Sequence, residues 1–145
     1  SRGFNYSRQL LLSESIFVKN PNFPYCFKKD YNHAFRIVYT IYANGQPFAL
    51  HEMFIPGIYS VSLNYFRDPK FNLSSIFELL NLPVDTVTYG MIPHVSTNVE
   101  ALSIGVKLHS ILSEHTLNYS DSTGKALLFE RFLFDSKSCF VDGEV

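Results

Sequence analysis

The sequence predicts a mostly β domain, a five-stranded OB-type barrel with one short helix between strands three and four. Three observations lead to this fold class. Apolar and polar residues alternate with a period of two in several segments, as in half-buried strands. The aromatic content of 16%, all of it Phe and Tyr, favours strands. The predicted elements follow one another as three strands, a helix and two strands, which is the OB-fold order.

A β-sandwich fragment is the main alternative architecture. The chain has 145 residues, the size of one ordinary domain. We therefore expect residues 1–145 to form a single domain. Because the sequence opens at Ser1 without Met, we expect this domain to be excised from a larger protein.

The first three strands are predicted from alternation between turn residues. Strand one is Leu10–Val18 and ends at an Asn-Pro turn. Strand two is Phe35–Tyr42, which has the clearest alternation in the chain. Strand three is Ile58–Tyr65. Between the last two, the segment Phe48–Ile55 is ambiguous between a short extra strand and an irregular loop.

The second half of the chain is predicted to be a helix followed by two strands. Ser75 stands three residues before Glu78, which is the spacing of a capping box, and Pro83 ends the helix. Strand four is Leu102–His109. Strand five is Ala126–Phe134, and because it is apolar on both sides, one of its faces is expected to meet a partner.

The charge balance excludes a strongly basic protein. Twelve basic and thirteen acidic residues give a net charge of −1, so any binding to nucleic acid would have to come from a local patch. No apolar run reaches the roughly 18 residues that span a bilayer, and no membrane contact is expected. Three Asn-x-Ser/Thr matches leave a secreted, glycosylated β domain as a third alternative: Asn5, Asn72 and Asn118.

Enzyme and metal signatures are missing from the sequence. It contains no GxSxG, no phosphate-binding Gly-rich loop and no HExxH. His109 and His115 lack a third ligand nearby, and Cys26 and Cys139 lie far apart with no neighbouring His. The remaining histidines are interpreted as surface or capping residues in loops: His33, His51 and His94. We expect a domain that is no enzyme and holds no cofactor or metal.

The long loop after strand one mixes basic and aromatic residues. Lysines can follow a phosphate backbone and aromatic rings can stack on bases, so single-stranded nucleic acid is one candidate ligand for loop 19–33. The residues of this candidate site are Lys19, Phe23, Tyr25, Lys28, Lys29 and Tyr31. The preferred alternative is that the rings fold back over the open end of the barrel.

A second candidate site is an apolar interface. Several large apolar residues occupy strand positions where solvent is expected, and exposed apolar patches usually mark interfaces. The predicted interface residues are Val38, Tyr42, Phe129, Phe132 and Phe134. A two-fold homodimer is the commonest way to bury such a patch.

Five segments resemble, in the same order, the central (second) OB fold of the large, telomere-capping subunit of the budding-yeast telomeric CST complex. They are FVKNPNFPYCF (17–27), FRIVYTIY (35–42), FIPGIYSVSL (54–63), SSIFELLNL (74–82) and LSIGVKLHSIL (102–112). The resemblance implies a nuclear protein of telomeric chromatin. It also implies self-association and contact with the smaller CST subunits, while nucleic acid is bound by other parts of the full-length protein.

The sequence thus leads to one hypothesis and one alternative. The hypothesis is a non-catalytic protein-interaction and homodimerisation domain, acting as a scaffold in a telomere-capping complex. The alternative is direct binding of single-stranded nucleic acid through loop 19–33.

Overall fold

The computed structural model describes residues 5–135, which form one antiparallel sheet of six strands in the order β1-β2-β3-β6-β5-β4. The strands are β1 (Tyr6–Phe17), β2 (His33–Ala43), β3 (Gln46–Pro56), β4 (Thr86–Val95), β5 (Ile111–Ser120) and β6 (Ala126–Asp135). In the same residues, two short α-helices lie outside the sheet, α1 (Ile76–Leu79) and α2 (Asn98–Ile104). The 3₁₀ helices of this part of the chain are Tyr25–Phe27, Leu63–Arg67 and Leu73–Ser75.

The two halves of the sheet follow the same path. In each half a strand leads into a connector, and the connector leads into a hairpin of two further strands. The connectors, residues 18–32 and 96–110, have equal lengths. β3 and β6 pair at the middle of the sheet, where Glu52 stands opposite Arg131.

The mostly β class is confirmed, but the five-stranded barrel is not. β1 and β4 are the two edges of a single six-stranded sheet. The ambiguous segment 48–55 is part of β3, which pairs with a strand on each side. Tyr59, Val61 and Leu63 instead pack on the sheet from a turn and a 3₁₀ helix, so the predicted strand 58–65 is wrong.

The predicted strand Leu102–His109 is also wrong, because this segment begins with helix α2. The Thr97 side chain accepts the Glu100 amide and the Glu100 carboxylate accepts the Thr97 amide, which completes a capping box. Gly105 ends the helix at φ 79°, where an L side chain is strained. Leu102, an apolar residue of the predicted strand, is 84% exposed.

The two sides of the sheet are covered differently. The core face, which carries Tyr39, Met53 and Leu128, packs against residues 57–84 in one apolar cluster. The charged face carries Arg36, Glu52 and Arg131 and is covered in two places. Phe23 and Phe27 of the first connector pack on one part of it, and Ile104 of α2 packs on another. Within residues 5–135, no helix is long and apolar enough to cross a membrane.

Candidate functional site

A row of charged side chains crosses the charged face at right angles to the strands. Taken across the sheet, it contains Glu14, Arg36, Glu52, Arg131, Glu114 and His94, one from each strand. Strand register places Glu14 opposite Arg36 and Glu52 opposite Arg131, and the other neighbours are diagonal. We call this row the charged strip. It alternates in sign from β1 to β5.

Glu52 holds the centre of the charged strip. Its Oε2 accepts Arg36 Nε at 2.8 Å and lies 2.6 Å from Arg36 Nη2, while its Oε1 accepts Arg131 Nε at 2.6 Å. Glu52 is only 4% exposed, so these charge-assisted bonds form largely away from water. Burial alone would lower the pKa of Arg36, but Glu52 and Glu14 together raise it above its ordinary value.

Helix α2 adds a fourth carboxylate to the strip. Glu100 Oε1 lies 2.7 Å from His94 Nε2, and Glu100 Oε2 lies 3.4 Å from Arg131 Nη2. Arg131 Nη1 donates to Glu114 Oε1 at 3.2 Å. Burial would raise the pKa of Glu100, but the Thr97 amide, His94 and Arg131 lower it below its ordinary value. Glu100 is therefore a carboxylate at neutral pH.

A cavity of about 580 Å³ opens above the middle of the charged strip, between α2, β1 and the first connector. Its lining combines four charged side chains with apolar walls and three small polar groups. The charged ones are Arg36, Glu52, Glu100 and Arg131; the others are Leu11, Leu12, Asn22, Val38, Leu50, Thr97, Val99 and Ser103. The cavity has the size of a small-molecule site.

A second polar cluster lies on the core face. Glu130 Oε1 accepts Tyr119 Oη at 2.6 Å, and Glu130 Oε2 lies 2.6 Å from His51 Nε2. The His51 ring stacks on Phe132 with centroids 4.2 Å apart. Burial would raise the pKa of Glu130, but His51 and Tyr119 lower it below its ordinary value. Both Glu130 oxygens are thus occupied.

The predicted interface residues do not form one surface. Val38 is buried beside Ile104 and lines the cavity, and Phe129 packs against Phe54, both on the charged face. Phe132 and Phe134 lie on the core face. Tyr42 Oη donates to Gln9 Oε1 at 3.0 Å. Their role as an interface remains a prediction.

The candidate nucleic-acid residues of loop 19–33 also do not form one surface, since some are buried and others exposed. Phe23 and Tyr31 are buried, and Tyr31 Oη donates to the Ala126 carbonyl at 2.6 Å. Tyr25 is exposed, with the Lys28 ammonium 5.9 Å from its ring centroid. Lys19, Lys28 and Lys29 are exposed. The connector therefore lacks a row of free ring faces on which bases could stack.

The cysteines and histidines that the sequence analysis considered form no metal site in residues 5–135. Burial raises the pKa of the Cys26 thiol to about 11, and Cys139 lies outside the described residues. His115 Nε2 lies 2.8 Å from Ser113 Oγ. Within residues 5–135, no group of three His, Cys, Asp or Glu side chains could hold a metal ion.

Sequence reasoning missed the charged strip and placed His51 and His94 in loops. A signal was present in the two apolar runs ALHEMFI (49–55) and LLFERFL (127–133), which are the central strands. A charged residue inside such a run needs a partner, because an unpaired buried charge is costly. The pairing of Glu52 with Arg131 follows from the strand order, which the sequence did not show.

No protein-family model and no curated protein sequence matches the chain. Solved structures with the same fold do match. One is the ligand-binding domain of a protein described as a GntR-family transcriptional regulator from Bordetella bronchiseptica, with TM-score 0.75, 12% identity, and coverage of 90% of this chain and 84% of that one. Another is the effector domain of PhnF from Mycobacterium smegmatis, with TM-score 0.76, 12% identity, and coverage of 94% and 84%.

A GntR-family transcriptional regulator from Bacillus cereus also matches, with TM-score 0.73, 9% identity, and coverage of 89% of this chain and 90% of that one. Against the longer PhnF structure, the chain spans 61% of that protein. At these identities the likeness shows the fold. The described chain therefore has the fold of this ligand-binding domain from Bordetella bronchiseptica and of the PhnF effector domain.

These likenesses overturn the resemblance to the CST OB fold. That resemblance depended on the predicted strands 58–65 and 102–109, and neither is a strand in the structure. The predicted function, a homodimeric telomere-capping scaffold in contact with the smaller CST subunits, depended on that resemblance. It is wrong, because the solved structures with this fold are ligand-binding and effector domains. Direct nucleic-acid binding through loop 19–33 falls with it, since Phe23 and Tyr31 are buried. The predicted nuclear location is not tested by these likenesses.

Proposed function

We propose that this chain is a non-catalytic domain that binds a small organic molecule in the cavity above the charged strip. The observation that carries the proposal is the cavity itself, about 580 Å³, with apolar walls around four charged side chains fixed by one another. Such concave sites with a few convergent polar groups are typical of small-molecule binding. Domains of the same fold are described as ligand-binding and effector domains.

The bonding of the charged strip supports binding rather than catalysis. Both Glu52 oxygens already accept guanidinium donors, so Glu52 is not poised to take a proton from a substrate. Glu100 Oε1 is likewise occupied by the Thr97 amide and His94. Groups held in this way orient a ligand without reacting with it.

The cavity also supports a regulatory role. Its roof comes from both halves of the sheet, because Asn22 lies in the first connector and Val99 in α2. A ligand that contacts both parts favours the arrangement in which they approach each other, and so shifts the population of domain conformations. We propose that a transcription regulator uses this domain to sense its effector.

A thermal-shift screen of a metabolite library tests the proposal. At a concentration of about 100 Kd, a ligand stabilises its protein by about 2.7 kcal/mol, which raises the Tm by roughly 5–10 °C. We expect at least one such compound for the wild-type chain. Ser103→Trp, which places an indole ring in the cavity, should abolish the shift. Leu102→Trp is the matched control, since Leu102 neighbours Ser103 but is exposed and does not line the cavity.

Two results would contradict the proposal. One is a library in which no compound shifts the Tm of the wild-type chain. The other is a set of compounds that stabilise the wild-type chain and the Ser103→Trp variant equally, which would place their binding outside the cavity.

A further inference from the structure

We propose that the ligand of this cavity is an organic cation, a primary ammonium or amidinium group on an apolar body. The inference rests on the proposed function, because it names the chemical class that the same cavity accepts. Three observations support it: carboxylates are in excess in the charged strip and α2, carboxylates already occupy both arginines, and the remaining walls of the cavity are apolar.

Carboxylates outnumber cations in the charged strip and helix α2 taken together, although the cavity lining itself holds two of each, Glu52 and Glu100 with Arg36 and Arg131. The guanidinium groups of Arg36 and Arg131 stand among four carboxylates, those of Glu14, Glu52, Glu100 and Glu114. The His94 ring lies between Glu100 and Glu114, and even a doubly protonated His94 leaves one negative charge in excess. The local field therefore favours a positive ligand.

The two arginines are occupied by these carboxylates. Arg36 contacts Glu14 and Glu52 at 2.6–2.9 Å. All three guanidinium nitrogens of Arg131 face a carboxylate, those of Glu52, Glu114 and Glu100. An anionic ligand would have to displace these carboxylates, and an unpaired charge as buried as Glu52 is strongly unfavourable.

Glu100 is the residue best placed to accept a cation. It lines the cavity, and its Oε2 makes only a long contact of 3.4 Å with Arg131 Nη2. An ammonium N–H at about 2.8 Å makes a stronger charge-assisted bond. The capping box fixes the direction of this carboxylate, so the ligand does not have to order it.

The remaining walls match an apolar body rather than a sugar ring. Leu11, Leu12, Val38, Leu50 and Val99 line the cavity, and each offers only hydrocarbon to a ligand. Burial of an alkyl or aryl group against them is favourable in proportion to its area. A compact amine with a hydrocarbon body fits both the walls and the charge.

Two probes of matched shape test the charge preference on the full 145-residue chain. 2-Phenylethylamine and 3-phenylpropionate share an apolar body and carry opposite charges. We expect the amine to shift the ¹H–¹⁵N signals of α2 and of central β3 in a saturable way, and the acid to leave them in place. Ser103→Trp should abolish the shifts, since its indole ring competes with the probe for space in the cavity.

A charge-neutral variant provides the second arm. Glu100→Gln removes the charge but keeps an oxygen that accepts the Thr97 amide, as Gln does in capping boxes. We expect it to weaken amine binding by about tenfold, the usual scale for one charge-assisted contact. Glu78→Gln on α1 is the matched control, because Glu78 is exposed and does not line the cavity, and it should leave the affinity unchanged.

The sign of the Arg131→Gln effect is a further discriminator. For a cationic ligand, loss of this positive charge should maintain or tighten binding; for an anionic ligand it should abolish binding. Binding of the acid in place of the amine would overturn the inference and leave the proposed function standing. A second result would do the same: the amine does not bind, while a neutral or anionic compound from the library screen binds the wild-type chain and not the Ser103→Trp variant. If no compound binds there at all, the proposed function fails as well.

Discussion

The two faces of the sheet both bury charged side chains, but they surround them differently. On the core face, Glu130 is closed off by Tyr119 and His51, and the apolar cluster of residues 57–84 packs beside this group. On the charged face, apolar packing is divided into two clusters, one under each connector. The charged strip lies between those clusters, and above it the cavity opens. The core face has a cavity too, about 480 Å³ and lined in part by Arg8 and His51, but Glu130 does not line it. The cavity above the charged strip, in contrast, is lined by the carboxylates of Glu52 and Glu100.

Removing a buried ring that covers the core face should cause the largest loss of stability. Phe66 is almost fully buried, its ring packs edge-on against Phe71, and its carbonyl accepts Tyr39 Oη. We expect Phe66→Ala to lower the free energy of unfolding by about 3–5 kcal/mol, measured by urea denaturation. Tyr65→Ala is the control, since the Tyr65 ring is half-exposed, and it should cost about 1 kcal/mol or less. Equal losses would show that the core face is assigned wrongly.

Breaking the centre of the charged strip should have the next largest effect. Glu52→Ala leaves Arg36 and Arg131 without their shared carboxylate, so we expect the free energy of unfolding to fall by about 2–4 kcal/mol. Glu14→Ala removes the more exposed end of the same strip and should cost less than about 1 kcal/mol. Chemical denaturation of both variants checks this order. A strip held together by surface-like ion pairs would give similar small losses for both.

Acidification should weaken both faces. The pKa values of Glu100 and Glu130 are lower in the folded chain than the ordinary 4.5, so the unfolded chain takes up protons first as the pH falls. The stability from each is present above about pH 4.5 and is lost as the pH falls through the lowered pKa. Urea midpoints measured from pH 7 downwards should therefore decrease below about pH 4.5.

Single variants separate the contributions of the two faces to this pH dependence. In the Glu130→Gln and Glu100→Gln variants, the urea midpoint should fall less steeply as the pH decreases than it does in the wild type. An unchanged slope in either variant would rule out that carboxylate as a source of the pH dependence.

The smallest effect should come from the cap of α2. Thr97→Ala removes the side-chain acceptor of the Glu100 amide, and we expect a loss of about 1 kcal/mol. Thr97→Ser keeps the acceptor and serves as the control. Thermal denaturation measures the global loss, and amide hydrogen exchange at Ala101 reports the local one. If the two variants have the same stability, the capping box does not stabilise the roof of the cavity.

Several strands and α1 could be predicted from the sequence, but the capping box predicted at Ser75 and Glu78 is wrong, because the Ser75 side chain makes no capping hydrogen bond. Phe35–Tyr42 alternates because one face of β2, with Ile37 and Tyr39, packs in the core cluster, while the other face carries Arg36 in the charged strip; its prediction as a strand is confirmed. β4 was missed because it contains Gly90 and Pro93, which signal turns. An edge strand tolerates Pro, and Gly90 fits where a Cβ would come within 2.7 Å of Thr116 Oγ1.

Helix α2 could have been found from its own residues. Thr97 and Glu100 have the same spacing as the Ser75 and Glu78 pair that predicted α1. The alternation from Leu102 onward favoured a strand instead. The apolar residues of this segment differ in burial, since Ile104 is buried and Leu102 is exposed. The local pattern was therefore compatible with two structures, and packing against β3 selects the helix.

The sequence by itself determined that this chain is mostly β, and it located β1, β2, β6 and α1. These features depend on alternation and on residues that form turns or end helices, such as Pro83, which act over a few neighbouring residues. Only the tertiary structure decided the strand order, the two faces and the cavity. The charged strip shows the physical reason: Glu52 and Arg131 are far apart in the chain, and their charges offset each other only because β3 pairs with β6. Each charge appears unpartnered in the sequence, and together they form the floor of the candidate site.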